Sequence, residues 1–280
     1  MRLSVKKFAT QPGIQPRGGF LSPKLFEVSN VSDEFDEAFV KAIEDSYGSG
    51  IVSPATRGVI VDYLTRAMIH TLYQDKNPVG TAFRIPLMGA RARGDESLAM
   101  EHIKAIEEEL AANLDNPDYS ILVTHAYQLT AYDSFVRCGL YDETVKDTTP
   151  NEADIDGISR MVKIAYSYFK EGDDFLHTGI SFLGAYTKQL AASDCDITTL
   201  DSLIDLKTSK SKPSAQDTFQ LLLYYILGLQ EKPGQFGGMD YIKILNPRLN
   251  KLYSLDVDDI SQDVIEEVER LIGSSELSRL

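Results

Sequence analysis

The stretch "SLIDLKTSKSKPSAQDTFQLLLYY", Ser202 to Tyr225, sets Asp205 and Lys207 at the end of an apolar run and Gln220 and Tyr224 one turn apart on the apolar segment that follows. Side chains alternate across a strand, so Asp205 and Lys207 share one face while Ile204 and Leu206 take the other. A turn at "TTLDS" folds this strand back on the one before it, which carries Asp196 beside Asp205. Two adjacent carboxylates repel unless a cation lies between them. Hard oxygen donors that leave waters in place suit magnesium.

The next helix starts at Ser214, a capping residue with Asp217 three positions on. Gln216, Gln220 and Tyr224 recur every four residues and so lie on one side of it. Phe219, Leu222, Leu223 and Ile226 fall toward the core. The loop "TSKSKP" is short, so the helix must pack back near the strand it leaves, its polar side toward Asp205 and Lys207.

An Asp, then D-x-K, then Q-xxx-Y resembles the RecB-like branch of the PD-(D/E)XK nuclease superfamily, with Asp196, "DLK" at Asp205 to Lys207, and "QLLLY" at Gln220 to Tyr224 carrying the likeness. The resemblance implies a restriction-endonuclease-like core and magnesium-dependent hydrolysis of phosphodiester bonds in DNA, with manganese able to substitute. Asp196, Asp205 and the backbone carbonyl of Leu206 would hold the metal, Lys207 would orient or activate the attacking water, and Gln220 and Tyr224 would position Lys207, water or phosphate. In "RGVIVDYLTR", similar to the family's first helix, Asp62 stands where a His or Glu is expected. Ser193 replaces the glycine of the family's G-xx-D, which leaves both Asp194 and Asp196 as candidate ligands; Asp196 is preferred because an apolar residue follows it. Lys210 and Lys212, and Arg248 with Lys251 around the "NPRLN" turn, are candidates for the DNA backbone.

A D-x-K by itself is common on a solvated strand face, and a Gln/Tyr pair is common at the boundary of an amphipathic helix. The competing reading keeps the fold and gives up the chemistry: a nuclease-like binding or regulatory protein that engages a protein partner through its acidic helical half. A formal net charge of −14 speaks for that reading, since phosphate contacts need Lys and Arg. An enzyme needs only a locally basic cleft.

Composition closes other routes. The 280 residues are 43% hydrophobic and 25% charged, an ordinary globular balance. Two cysteines, Cys138 and Cys195, without a CxxC pair argue against a disulfide framework and a thiolate zinc site. The four histidines, His70, His102, His125 and His177, show no HxxxH or HxE spacing, which argues against a histidine metal site as well. No phosphate loop, dinucleotide fingerprint or nucleophile elbow is present. No apolar run approaches the length of a membrane helix, and the polar, Gly/Pro-broken N-terminus does not read as a signal peptide; a cytoplasmic location is expected.

Periodicity predicts helices over 32–47, from Ser53 to about Tyr73, over 94–114, 119–138 (closed by Gly139), 152–170, 214–229 and 261–273. Consecutive strands are expected from about Leu176 to Lys207, with two more around "DYIKILNPRLNKLYSLDV". The expected architecture is α/β (α+β), a single domain spanning 1–280: a first core helix at 50–74, a helical insertion at 75–175 and an α/β core at 176–273.

Overall fold

The computed structural model describes residues 3–16, 19–73, 79–171, 175–182, 184–185, 190 and 194–273. Ser193 and the proposed boundary at 74–75 lie outside them. In chain order the elements are α1 (Val5–Ala9), β1 (Glu27–Asn30), α2 (Glu37–Ser46), α3 (Pro54–Leu72), α4 (Arg84–Arg93), α5 (Glu96–Asn113), α6 (Tyr119–Cys138), α7 (Thr144–Asp147), α8 (Glu152–Glu171), β2 (Phe175–Ser181), β3 (Asp194–Thr199), β4 (Ser202–Leu206), α9 (Ala215–Glu231), α10 (Pro233–Phe236), β5 (Tyr241–Asn246), β6 (Lys251–Asp256) and α11 (Gln262–Ile272). The protein is mixed α and β.

The chain packs as two compact units: Met1–Asn30 with Asp173–Asn246 and Lys251–Leu280, and Val31–Gly172 with Pro247–Asn250. The first holds a six-stranded sheet in the order β1-β6-β5-β4-β3-β2. Among the described strands only β4 and β5 pair in parallel, with α9 between them in the chain as the crossover that a parallel pair needs. The other neighbours are antiparallel.

Helix α9 is the centre of this unit. Its start is a complete capping box, with Ser214 and Asp217 each satisfying the other's backbone N–H. From Thr218 to Gly228 every residue is buried. Phe219 meets the rings of Phe8 and Phe20 at centroid distances of 6.4 and 5.0 Å, which docks α1 on this helix. Gly228 is required by close approach: a Cβ there would stand 2.2 Å from the Phe236 ring.

The second unit is helical, α2 to α8. Ser53 caps α3 and Pro54 occupies its first turn, while Gly139 ends α6 in the left-handed region with φ of 70°. Of the α8 stripe Ile155, Ile158, Val162, Ala165 and Phe169, the last four are buried and Ile155 is half-buried. At the centre of the unit Arg57 donates to Asp154 at 2.6 Å, and both side chains are fully buried. Asp154 also accepts from the N–H groups of Ile51, Val52 and Asn151, and Arg57 donates to Ser46 Oγ and Ser46 O.

Five elements, α1, β1, α4, α7 and α10, escape the sequence reading. Helix α4 lies in a stretch read as a Gly/Pro loop, α10 inside the loop "EKPGQFGG", and α1 and β1 in the first fifty residues read as irregular apart from one helix. The four- and five-residue elements are too short to show a period. The helix expected from Ser32 starts at Glu37, where Asp36 caps it by accepting from Phe39 N–H. Among the described residues no helix is long and apolar enough to cross a membrane.

Candidate functional site

The β3–β4 hairpin pairs Ile197 with Ile204 and Thr198 with Leu203. One step further in that register Asp196 comes opposite Asp205, where directly opposed side chains share a face. Asp196 Oδ2 accepts the backbone N–H of Leu206 at 2.8 Å, a side-chain bond in the place of a ladder bond. Asp194, two residues back, is engaged on β2, accepting from Ser181 Oγ at 2.5 Å.

Strand β4 is buried from Ser202 to Asp205. Alternation puts Ile204 and Asp205 on opposite faces of the strand, and both are buried. Asp205 is 2% exposed. Its Oδ2 lies 2.8 Å from Lys207 Nζ, a charge-assisted contact, and among the described residues no other group donates to that oxygen. Lys207 Nζ also donates to Gln220 Oε1 at 3.0 Å, and Gln220 Nε2 donates to the Tyr224 hydroxyl at 3.0 Å. Having a cation on one side and a phenol oxygen on the other fixes which way round the amide lies.

The two partners of the ion pair shift in ways that differ. Burial raises the Asp205 carboxyl above its usual range, and Lys207 offsets this only in part, with a weaker contribution from Lys6. Burial acts to lower the Lys207 ammonium, but Asp205 and Asp196 outweigh it, and the net shift is upward. The asymmetry has a physical reason: Lys207 answers to two carboxylates and Asp205 chiefly to one cation. Burial, reinforced by Asp196 and Asp205, holds the Tyr224 phenol well above its ordinary value. Cys195 is pushed up for the same reasons, burial first and then Asp196, and is a core thiol.

Among the described residues no group of three or more His, Cys, Asp or Glu side chains is arranged to hold a metal. The residues present do fit a magnesium ion held by few protein ligands. Asp196 and Asp205 stand on adjacent paired strands, hard oxygen donors of the kind magnesium takes, since that ion is commonly held by one or two carboxylates with waters and substrate phosphates completing the octahedron.

The other sequence candidates separate by unit. Lys210 and Lys212 are exposed on the loop after Lys207. Lys251 donates to Asn30 Oδ1 at 2.6 Å. Arg248 belongs to the helical unit, is only 7% exposed, donates twice to Glu44 Oε2 at 3.0 and 2.6 Å and stacks 3.6 Å over the Tyr47 ring. An arginine so held is a packing element. Asp62, also in the helical unit, takes a hydrogen bond from Arg66 at 2.5 Å, one turn along α3. Two charges near the site were not singled out from sequence: Lys6 on α1, and Asp217, whose negative charge acts on both Asp205 and Lys207. The first lies in a stretch without a readable period, and the second reads fully as a helix cap.

No family model, curated protein or solved structure matches this chain.

Proposed function

We propose that this protein is a metal-dependent deoxyribonuclease of the PD-(D/E)XK type, its α/β unit a restriction-endonuclease-like core and its habitat the cytoplasm. The observation that carries the reading is the chain Lys207–Gln220–Tyr224 closing on Asp205. A buried carboxylate met by a single lysine that is itself shared with a helix amide is costly as structure and useful as a site.

Bound at Asp196, Asp205 and the Leu206 carbonyl, magnesium would supply Lewis-acid stabilisation of phosphate charge and a water of lowered pKa. Lys207, its pKa raised, remains an ammonium at neutral pH. It therefore serves as a fixed positive charge and donor toward a phosphate oxygen or water, and not as a base. Gln220 holds Nζ in line by accepting one of its protons. Tyr224 keeps its own proton, since its pKa is raised far from neutrality, and uses its oxygen to anchor the Gln220 amide. Lys210 and Lys212 would meet the DNA backbone as exposed cations.

Incubating the chain with linear and circular, single- and double-stranded DNA in Mg²⁺ or Mn²⁺ tests this. Cleavage is expected in the metal, and Asp205→Asn and Lys207→Ala are each expected to lower the rate by about 10²–10³-fold or more, the scale of losing one transition-state contact. Cleavage unchanged by either substitution overturns the assignment. The second reading, a nuclease-like fold that binds a protein partner, is favoured by the net charge of −14; it predicts no cleavage of any DNA under these conditions.

A further inference from the structure

The helical unit carries a pair of histidines that the nuclease reading does not use. His102 on α5 and His125 on α6 turn the same ring nitrogen toward each other, Nδ1 to Nδ1 at 2.9 Å, with ring centroids 5.2 Å apart and planes tilted by 42°. Both rings are partly buried at the rim of the α5–α6 seam, beside the buried residues Ala99, Ile103 and Ile106 of α5 and Leu122, Val123 and Ala126 of α6. Two neutral imidazoles facing through identical nitrogens have two stable fillings. Either one ring takes the Nδ1–H tautomer and donates to the other, or both take the Nε2–H tautomer and two lone pairs converge on a cation.

We propose that His102 and His125 form a two-histidine site for a borderline divalent metal of the zinc class, clamping α5 to α6 through their Nδ1 atoms. Zinc–imidazole bonds run at ~2.0–2.1 Å, so two of them at a tetrahedral angle hold the nitrogens about 3.3 Å apart. The observed 2.9 Å is within a few tenths of an ångström of that, a change that side-chain torsions alone absorb. Imidazole is a ligand of choice for zinc, copper and nickel, and a poor one for magnesium or calcium. Burial lowers the pKa of His102 to about 4, and lowers that of His125 too. Both rings are thus in the neutral, ligating form at physiological pH. Partial exposure leaves room for waters to complete the coordination, since no third protein ligand joins the pair among the described residues.

The pair belongs to the helical unit and its occupancy does not depend on the nuclease reading. The test is calorimetric titration of the chelator-stripped full chain with Zn²⁺. One equivalent is expected that His102→Gln and His125→Gln each weaken at least tenfold, the smallest loss seen even for residues that only orient a metal ligand. His177→Gln, a change at an exposed histidine, is expected to leave it intact. Zinc taken up at Asp196 and Asp205 is counted separately, because it survives His102→Gln and is lost in Asp205→Asn. A second measurement needs no variant: imidazole ¹⁵N spectra of the native chain should show two Nδ1 resonances moving together on zinc addition and unmoved by Mg²⁺. Zinc affinity unchanged in both histidine variants, or Nδ1 resonances that ignore zinc, overturns the proposal.

Discussion

Each unit of this protein contains a buried cation–carboxylate pair, and the two are finished differently. In the helical unit Asp154 is saturated by Arg57 and three backbone N–H groups, and of Arg57 only Nε lacks a partner. Gly157 makes way for it, since a Cβ there would stand 1.9 Å from Ser46 Oγ. In the α/β unit the buried Oδ2 of Asp205 has Lys207, at 2.8 Å, as its one partner among the described residues, and Lys207 is divided between that oxygen and Gln220. A saturated pair returns the desolvation cost of its charges and has no capacity left; an unsaturated one holds unspent interaction that a ligand can use. The first arrangement is a strut. The second is the proposed site.

That contrast can be broken by experiment. The largest effect is expected at the strut: Asp154→Asn leaves Arg57 buried without a counter-charge and should cost about 3–5 kcal/mol, measured as accelerated amide hydrogen exchange in α3 and α8. Exchange unaltered there would mean the pair is no strut. Next comes Lys207→Met, which strands Asp205; with Lys207 partly open to solvent (side chain 19% exposed) the expected loss at pH 7 is about 1–3 kcal/mol. Its pH dependence has a definite sign. The folded pKa of Asp205 already lies above its ordinary 3.8 and rises further without the lysine, so on acidification the folded state takes up a proton before the unfolded one does. Stability of the variant should therefore recover as pH falls through the folded pKa toward 3.8, narrowing its gap to the native chain. A gap that widens on acidification would contradict the account of Asp205 as a buried carboxylate with one chief counter-charge. The smallest effect is expected for Tyr224→Phe, which removes the acceptor of Gln220 Nε2 and should cost about 0.5–1.5 kcal/mol in denaturant unfolding, with a DNA-cleavage defect smaller than that of Lys207→Ala. A larger defect than Lys207→Ala would give Tyr224 a direct role.

How much could be seen beforehand differs along the chain. The hairpin, α9 and its cap were legible because each signal is local: alternation over β4, Ser214 with Asp217, and a four-residue repeat of polar side chains. Capped helices such as α3 and α6 were equally plain. The β4 environment was not, since alternation says which residues share a face and nothing about what covers it. Arg248 illustrates the limit from the other side: its sequence setting beside Pro247 reads as an exposed turn, and its actual neighbours, Glu44 and Tyr47, are some two hundred positions away in the chain. The His102–His125 pair had no sequence signal at all, because neither histidine has a second one at helical spacing and the contact arises from two helices packing side by side.

The sequence by itself determined the order of chemistry in the α/β unit: an acid on one strand, an acid and a lysine on the next, an amide and a phenol one turn apart on the helix that follows. Those relations are set by backbone periods of two and 3.6 residues and by short connections, which act over a few residues at a time. Only the tertiary structure decided which charges are spent and which remain available: Arg57 and Arg248 tied down, Asp205 buried with Lys207 as its chief counter-charge, two imidazoles brought nitrogen to nitrogen. The physical reason is that charge pairing and desolvation depend on distances across the packed interior, which the local periods of a chain do not encode.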